Sequence, residues 1–125
     1  MIRRDHGPLA AAQPARQPHQ LRAAEGGAGN LDAATREALL REALDEEMAR
    51  DPSVFIIGEG IAERGGSYKV TEGLLAKYGP GRVRDTPIAE AGMIGVGVGA
   101  AIAGARPVVE ILYVDFAMLG MDMIV

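Results

Sequence analysis

The amino-acid sequence predicts an α/β fold in which helices flank a parallel β-sheet. Residues 53–58 and 107–114 are short, largely apolar runs of the kind that form strands buried on both faces. Residues 35–50 and 90–103 have the composition of helices. Strands that alternate with helices favour parallel pairing, because each helix returns the chain to the starting edge of the sheet.

The composition predicts one domain with an aliphatic core. The 125 residues are 48% hydrophobic but only 4% aromatic, and the net charge is −4. Such a chain lacks the positive field that favours nucleic acid or anionic lipid. Charged residues interrupt the apolar C-terminal part before it reaches the ~18 residues of a membrane span. We therefore expect a cytoplasmic protein that binds neither nucleic acid nor membranes.

The N-terminal part of the chain, residues 1–33, is predicted to be a disordered tail. It is rich in alanine, proline, glycine and arginine and shows no apolar period. The folded part is then residues 34–125, with a first helix in which Leu40, Leu44 and Met48 form an apolar stripe.

Capping and turn residues set the bounds of the next elements. Either Asp32 or Thr35 is expected to cap the first helix. Glu59 follows the first predicted strand, at the carboxyl end where open α/β sheets bind ligands. A short helix at residues 71–78 is expected to be capped by Thr71 and to end at Gly79, before a brief strand.

The stretch that opens with Glu90 is the best candidate for chemistry. Pro87 fixes its own backbone φ and disfavours helix before it, so Glu90 falls at a helix N-terminus. Residues 92–103 are small or apolar up to Gly104, which predicts one buried helix whose glycines permit close packing. A carboxylate is costly to bury there without a partner, which makes it a candidate site residue.

The last segment, residues 116–125, is predicted to be an apolar helix with Met118, Met121 and Val125 on one face. It has no cap or breaker. We expect the fold to be incomplete at the C-terminus, as in a truncated chain, or this end to be buried against a partner.

A dinucleotide-binding module of the Rossmann type is a weaker alternative. Residues 95–100 match the pattern G-x-G-x-x-A. In dinucleotide-binding folds these glycines lie at the turn from strand to helix, whereas here a helical pattern already precedes them.

Blocks of sequence spread over residues 35–125 point to a particular family. They are REA and DEEM within residues 36–48, FIIGE at 55–59, GSYKV at 66–70, DTPIAE at 85–90 and GAAIAGARP at 99–107. In this order and spacing they resemble the N-terminal part of the β subunit of thiamine-diphosphate-dependent 2-oxo acid dehydrogenases. That family includes the pyruvate, branched-chain and acetoin enzymes. The resemblance implies a transketolase-like, pyrimidine-binding domain.

The resemblance also implies the roles of individual residues. Glu90 matches the catalytic glutamate, which contacts ring atom N1′ of thiamine diphosphate and favours the imino tautomer that takes the C2 proton. Phe116 matches the aromatic residue that packs on the pyrimidine ring, and Leu112 and Ile88 are implied to line the same pocket. Glu59 resembles an acid near the cofactor that passes protons between paired active sites.

The implied enzyme is heteromeric. The expected partners are an α subunit, a second β chain in an α2β2 assembly, a lipoyl-bearing acyltransferase and a 2-oxo acid such as pyruvate. The α subunit is expected to hold the diphosphate and Mg²⁺, so no metal ligand is assigned here and the isolated chain is expected to be inactive. In the family a second acid usually follows the one at Glu59, where this chain has Gly60. A non-catalytic fragment that retains only partner binding is the main alternative.

Overall fold

The computed structural model describes residues 31–124, so the predicted tail lies almost wholly outside the described residues. The elements are α1 (Ala33–Arg50), β1 (Val54–Gly58), α2 (Leu74–Tyr78), β2 (Val83–Asp85), α3 (Glu90–Ile102), β3 (Arg106–Val109) and a 3₁₀ helix (Val114–Met123).

The three strands form a parallel sheet in the order β2-β1-β3, which confirms the α/β prediction. In β1, Ile56 is paired with Val83 of β2 and with Val108 of β3. Because β2 and β3 lie on opposite sides of β1, α3 carries the chain from one edge of the sheet across to the other. The connections therefore place the carboxyl ends of all three strands at one edge.

One face of the sheet is closed by α1 and α2. Its core consists of buried aliphatic side chains from both helices, from two strands and from the loop after β1: Met48, Val54, Ile56, Ile61, Leu74 and Val83. Asp32 caps α1, since its carboxylate accepts a hydrogen bond of 2.9 Å from the backbone N–H of Thr35. Leu40 is exposed, so the predicted apolar stripe of α1 reaches the core only in its last turns.

Arg82 ties this layer together at the start of β1. Its guanidinium donates hydrogen bonds of 2.8 Å to the backbone carbonyls of Met48, Asp51 and Val54. These carbonyls lie at the end of α1 and the start of β1, so one side chain holds both elements next to β2.

The opposite face of the sheet is covered by α3, which packs through a glycine. Successive side chains of a strand alternate between faces, so Ile57 and its register partner Val109 face away from the α1 side. A Cβ atom built at Gly97 would lie 2.5 Å from Cγ2 of Val109. Only glycine permits this approach, which confirms the predicted close packing at Gly97, whereas a Cβ atom at Gly99 would have nothing within 4 Å.

The predicted full burial of α3 is wrong. Glu90, Met93, Ile94 and Gly97 are buried, but the outward side is exposed and Ile102 is 84% accessible. A helix built from small and apolar residues has no polar positions that would mark its exposed face in the sequence.

The strand predicted at residues 107–114 was too long and is only partly buried, and the predicted last helix was of the wrong type. The strand ends at Val109, and the apolar residues beyond it form a 3₁₀ helix from Val114. A Cβ atom at Gly120 would lie 2.3 Å from Cδ1 of Ile94, so this glycine lets the 3₁₀ helix pack against α3. Met118 and Met121 are both exposed, and Val125 lies outside the described residues.

The predicted cap of the short helix is also wrong. Thr71 is buried, and its hydroxyl donates a hydrogen bond of 2.7 Å to the carbonyl of Ile61 instead of capping a helix. The helix begins only at Leu74, after Gly73 with a positive φ of 83°. It ends at Gly79 as predicted.

Candidate functional site

Each strand of the sheet has an acidic residue at its carboxyl end. Asp85 is the last residue of β2, Glu59 follows β1, and Glu110 follows β3. The sequence singles out Glu59 through its place after a predicted strand. The same rule points to Asp85, which ends the brief strand predicted at residues 82–85. It would also have found Glu110, but the predicted third strand ran past that residue.

The side chain of Glu110 lies against two glycines. Its backbone N–H donates a hydrogen bond of 2.9 Å to the carbonyl of Ile57, which extends the pairing of β3 with β1 by one step. A Cβ atom at Gly58 would lie 3.0 Å from Oε2 of Glu110, and one at Gly66 would lie 3.4 Å from Oε1. A side chain at Gly58 would therefore require the carboxyl group to move.

The surroundings of Glu110 disfavour its charged form. Burial raises the pKa of the Glu110 carboxyl, and the negative charges of Glu59 and Asp85 raise that pKa further. Asp85 is itself held in place, because its Oδ1 accepts a hydrogen bond of 2.8 Å from the backbone N–H of Ala62. Among residues 31–124, no group of acids and histidines is arranged to hold a metal ion.

Glu90 is positioned by the chain that leaves β2. The backbone N–H of Thr86 donates a hydrogen bond of 2.9 Å to the carbonyl of Gly58, so the chain stays beside β1 before α3 begins. Glu90 is the first residue of α3 and is 9% accessible. It shares a helix face with Ile94 and Gly97, four and seven residues on, which contact the 3₁₀ helix and β3.

This placement suits Glu90 for contact with a polar ligand. The carboxylate lies at the positive end of the α3 dipole. The ion pairs found within the described part of the chain do not include it. Glu90 is thus a buried acid with hydrogen-bonding capacity at the carboxyl edge of the sheet.

The other predicted pocket residues lie on connections that leave the same edge. Ile88 is exposed in the loop before α3. Leu112 is half-buried after β3, and Phe116, which is 43% accessible, lies in the first turn of the 3₁₀ helix. The structure therefore puts Ile88 after β2, Phe116 after β3 and Glu59 after β1, as the sequence predicts. Leu112, which fell inside the predicted strand, also lies after β3.

The fold agrees with a comparison against protein families. Residues 32–125 match the family described as "Transketolase, pyrimidine binding domain". The match covers most of the chain, and the chain belongs to this family. The predicted transketolase-like fold class is thereby confirmed.

Curated relatives narrow the class to one kind of subunit. The chain is 53% identical over 107 residues to the pyruvate dehydrogenase E1 component subunit beta-1, mitochondrial, of Oryza sativa subsp. japonica, covering 82% of this chain and 29% of the relative. It is 59% identical over 90 residues to the pyruvate dehydrogenase E1 component subunit beta of Rickettsia bellii, covering 72% of this chain and 27% of the relative. The chain thus spans less than a third of the length of these relatives. The matches confirm the resemblance to β subunits of 2-oxo acid dehydrogenases.

The structure contradicts the dinucleotide-binding alternative. Gly95, Gly97 and Gly99 lie inside α3, which begins at Glu90, and not at the turn from a strand to a helix.

In the part of the chain that the structure describes, no helix has both the length and the apolar character of a membrane span.

Proposed function

We propose that this chain forms the aminopyrimidine-binding part of an E1 β subunit, in a component that oxidatively decarboxylates a 2-oxo acid such as pyruvate. The observation that carries this proposal is Glu90, a buried acidic residue at the start of α3. It occurs in a chain whose relatives are named as pyruvate dehydrogenase E1 β subunits.

The residues present suit the aminopyrimidine end of thiamine diphosphate. A buried carboxyl group is a suitable partner for a ring nitrogen, and a half-exposed phenyl ring offers an apolar face for stacking. The acids at the three strand ends, in contrast, would repel a diphosphate. We therefore assign the diphosphate to the α subunit, and Mg²⁺ with it, since residues 31–124 contain no group of acids and histidines arranged to hold a metal ion.

Each of the predicted site residues would have a separate role at the carboxyl edge of the sheet. Thiamine diphosphate, when bound, supplies a carbon nucleophile for the 2-oxo group. Glu90 holds a proton at ring atom N1′, which sets the tautomer of the aminopyrimidine. Phe116 packs on the ring, while Leu112 and Ile88 keep water from its rim. Glu59 exchanges protons with the paired active site.

The proposed partners are an α subunit and a second β chain in an α2β2 assembly, together with a lipoyl-bearing acyltransferase. Apolar side chains on the outward side of α3 and on the 3₁₀ helix support an interface in this region: Val96, Ile102, Val114, Met118 and Leu119 are exposed. We propose a cytoplasmic location, although the rice relative is named as mitochondrial.

The test is co-expression of the full chain with an α subunit, followed by calorimetric titration with thiamine diphosphate and Mg²⁺ and by measurement of CO₂ release from pyruvate. Glu90→Gln keeps the size of the side chain but removes its ionisable proton, and should lower turnover by about 100-fold or more. The matched control is Glu46→Gln, at an exposed acid on α1, which should leave turnover unchanged.

Two outcomes would contradict the proposal in different ways. A complex that forms but does not bind thiamine diphosphate would favour the alternative of a non-catalytic chain that binds only its partner. Full turnover by Glu90→Gln would remove the proposed role of Glu90 while leaving the family membership intact.

A further inference from the structure

The ring of Phe116 is not held by the hydrophobic core. It is 43% accessible, and it lies in the first turn of a 3₁₀ helix that is itself largely exposed. A ring with this much exposure samples several rotamers unless a neighbour restricts it. A stacking residue needs a fixed ring plane, so the neighbour that fixes it matters for binding.

Tyr113 is such a neighbour. The rings of Tyr113 and Phe116 are 5.9 Å apart between centroids and are inclined at 81°, an edge-to-face arrangement. The backbone N–H of Phe116 donates a hydrogen bond of 3.0 Å to the carbonyl of Tyr113. Tyr113 is the residue immediately before the 3₁₀ helix, so this hydrogen bond closes the first turn and keeps the two residues close together.

We infer that Tyr113 is a positioning residue, whose ring fixes the plane of the Phe116 ring so that one face stays open for the aminopyrimidine. An edge-to-face pair occupies at most one face of either ring. At least one face of Phe116 is therefore left free by Tyr113, whichever of the two rings presents its edge. This inference rests on the proposed stacking role of Phe116.

The first experiment measures the order of the Phe116 ring without any cofactor. The chain contains two phenylalanines, so incorporation of 4-fluorophenylalanine gives one ¹⁹F signal for Phe116 and one for Phe55. Phe55 lies under the guanidinium of Arg84, at 5.2 Å, and serves as an internal reference. Tyr113→Leu should shift and narrow the Phe116 signal, as expected for a freed ring, and leave the Phe55 signal in place.

The second experiment measures thiamine diphosphate binding, with Mg²⁺, to the complex of the full chain with an α subunit. Tyr113→Leu should raise the dissociation constant by about 2- to 10-fold, the range expected from the loss of one aromatic pair. Tyr113→Phe keeps the ring and loses only the hydroxyl, so it should bind as the unchanged chain does. Phe116→Leu should weaken binding at least as much as Tyr113→Leu.

The outcomes separate this inference from the function on which it rests. If Phe116→Leu weakens binding and Tyr113→Leu does not, the positioning role is overturned and the proposed site stands. If neither variant weakens binding, the stacking role of Phe116 fails, and the positioning role fails with it. An unchanged Phe116 signal in Tyr113→Leu also overturns the inference.

Discussion

The two faces of the sheet are packed in different ways. The face covered by α1 and α2 is filled by large aliphatic side chains such as Met48 and Ile56. The face covered by α3 relies on the absence of side chains, because Gly97 admits Val109 to the helix backbone. The first face therefore gains stability from buried area, whereas the second uses close approach to place Glu90 beside the carboxyl edge.

The largest loss of stability is expected when a side chain is shortened on the face covered by α1 and α2. Ile56 is 1% accessible and lies in the central strand, so Ile56→Ala should lower the free energy of unfolding by about 2–5 kcal/mol. Urea unfolding followed by circular dichroism measures this loss. A loss of less than about 1 kcal/mol would mean that this face is not the main source of stability.

On the face covered by α3, adding a side chain should lower the stability of the fold. Gly97→Ala places a Cβ atom where Val109 already lies, so it should cost about 1–3 kcal/mol through overpacking. Gly99→Ala is the matched control, since nothing lies within 4 Å of its Cβ position on the same helix. The control should be stabilising by up to about 1 kcal/mol, because alanine has the higher helix propensity. Equal effects of the two variants would argue against close packing at Gly97.

A smaller, pH-dependent effect on stability is expected at Glu110, which lies at the carboxyl edge of the sheet. The pKa of Glu110 is raised above its ordinary value of 4.5, so the folded chain binds a proton that the unfolded chain has already released. Stability should therefore fall as the pH rises from 4.5 through the raised pKa. Glu110→Gln removes this dependence and should be the more stable protein at neutral pH.

Thermal unfolding between about pH 4 and pH 8 measures the effect of Glu110. The difference between Glu110→Gln and the unchanged chain should grow with pH, and Glu46→Gln should show no such trend. A difference that is constant with pH would mean that neither burial nor the charges of Glu59 and Asp85 raise the pKa of this carboxyl group.

The smallest effect is expected where α1 leaves the core. Leu40 is exposed although it continues the apolar spacing of Met48. Leu40→Ala should change the free energy of unfolding by no more than about 0.5 kcal/mol in the same urea assay. A loss comparable to that of Ile56→Ala would show that the first face extends further along α1.

The elements that follow from local chemistry were predictable from the sequence. Pro87 and Gly104 correctly bracket α3, and the apolar run that ends at Gly58 correctly gives β1. The segment after Val109 was not predictable in this way, because an apolar run shows neither where a strand ends nor whether the helix that follows is α or 3₁₀. The close contact between Gly120 and Ile94, which are far apart in the chain, belongs to the folded structure and has no signal in the local sequence.

In the candidate site, too, some features follow from the local sequence and others depend on the folded structure. Glu59 and Glu90 are marked by local context, the end of a strand and the start of a helix. The pKa of Glu110 is raised first by burial and then by the charges of Glu59 and Asp85, which the parallel strands bring to the same edge of the sheet. The roles of Glu90 and Phe116 toward a cofactor come from the family resemblance and remain predictions.

The strand order also affects how the chain is made. β1 is synthesised before β2 and β3, yet it occupies the middle of the sheet. During translation its apolar residues have two unpaired edges, and its last partner emerges only after α3. Parallel pairing over such separations is slow, so the nascent chain passes through an interval in which β1 is exposed to aggregation. Among the helices of residues 31–124, α1 alone precedes β1, and because it forms from local contacts it can cover β1 from the start of that interval.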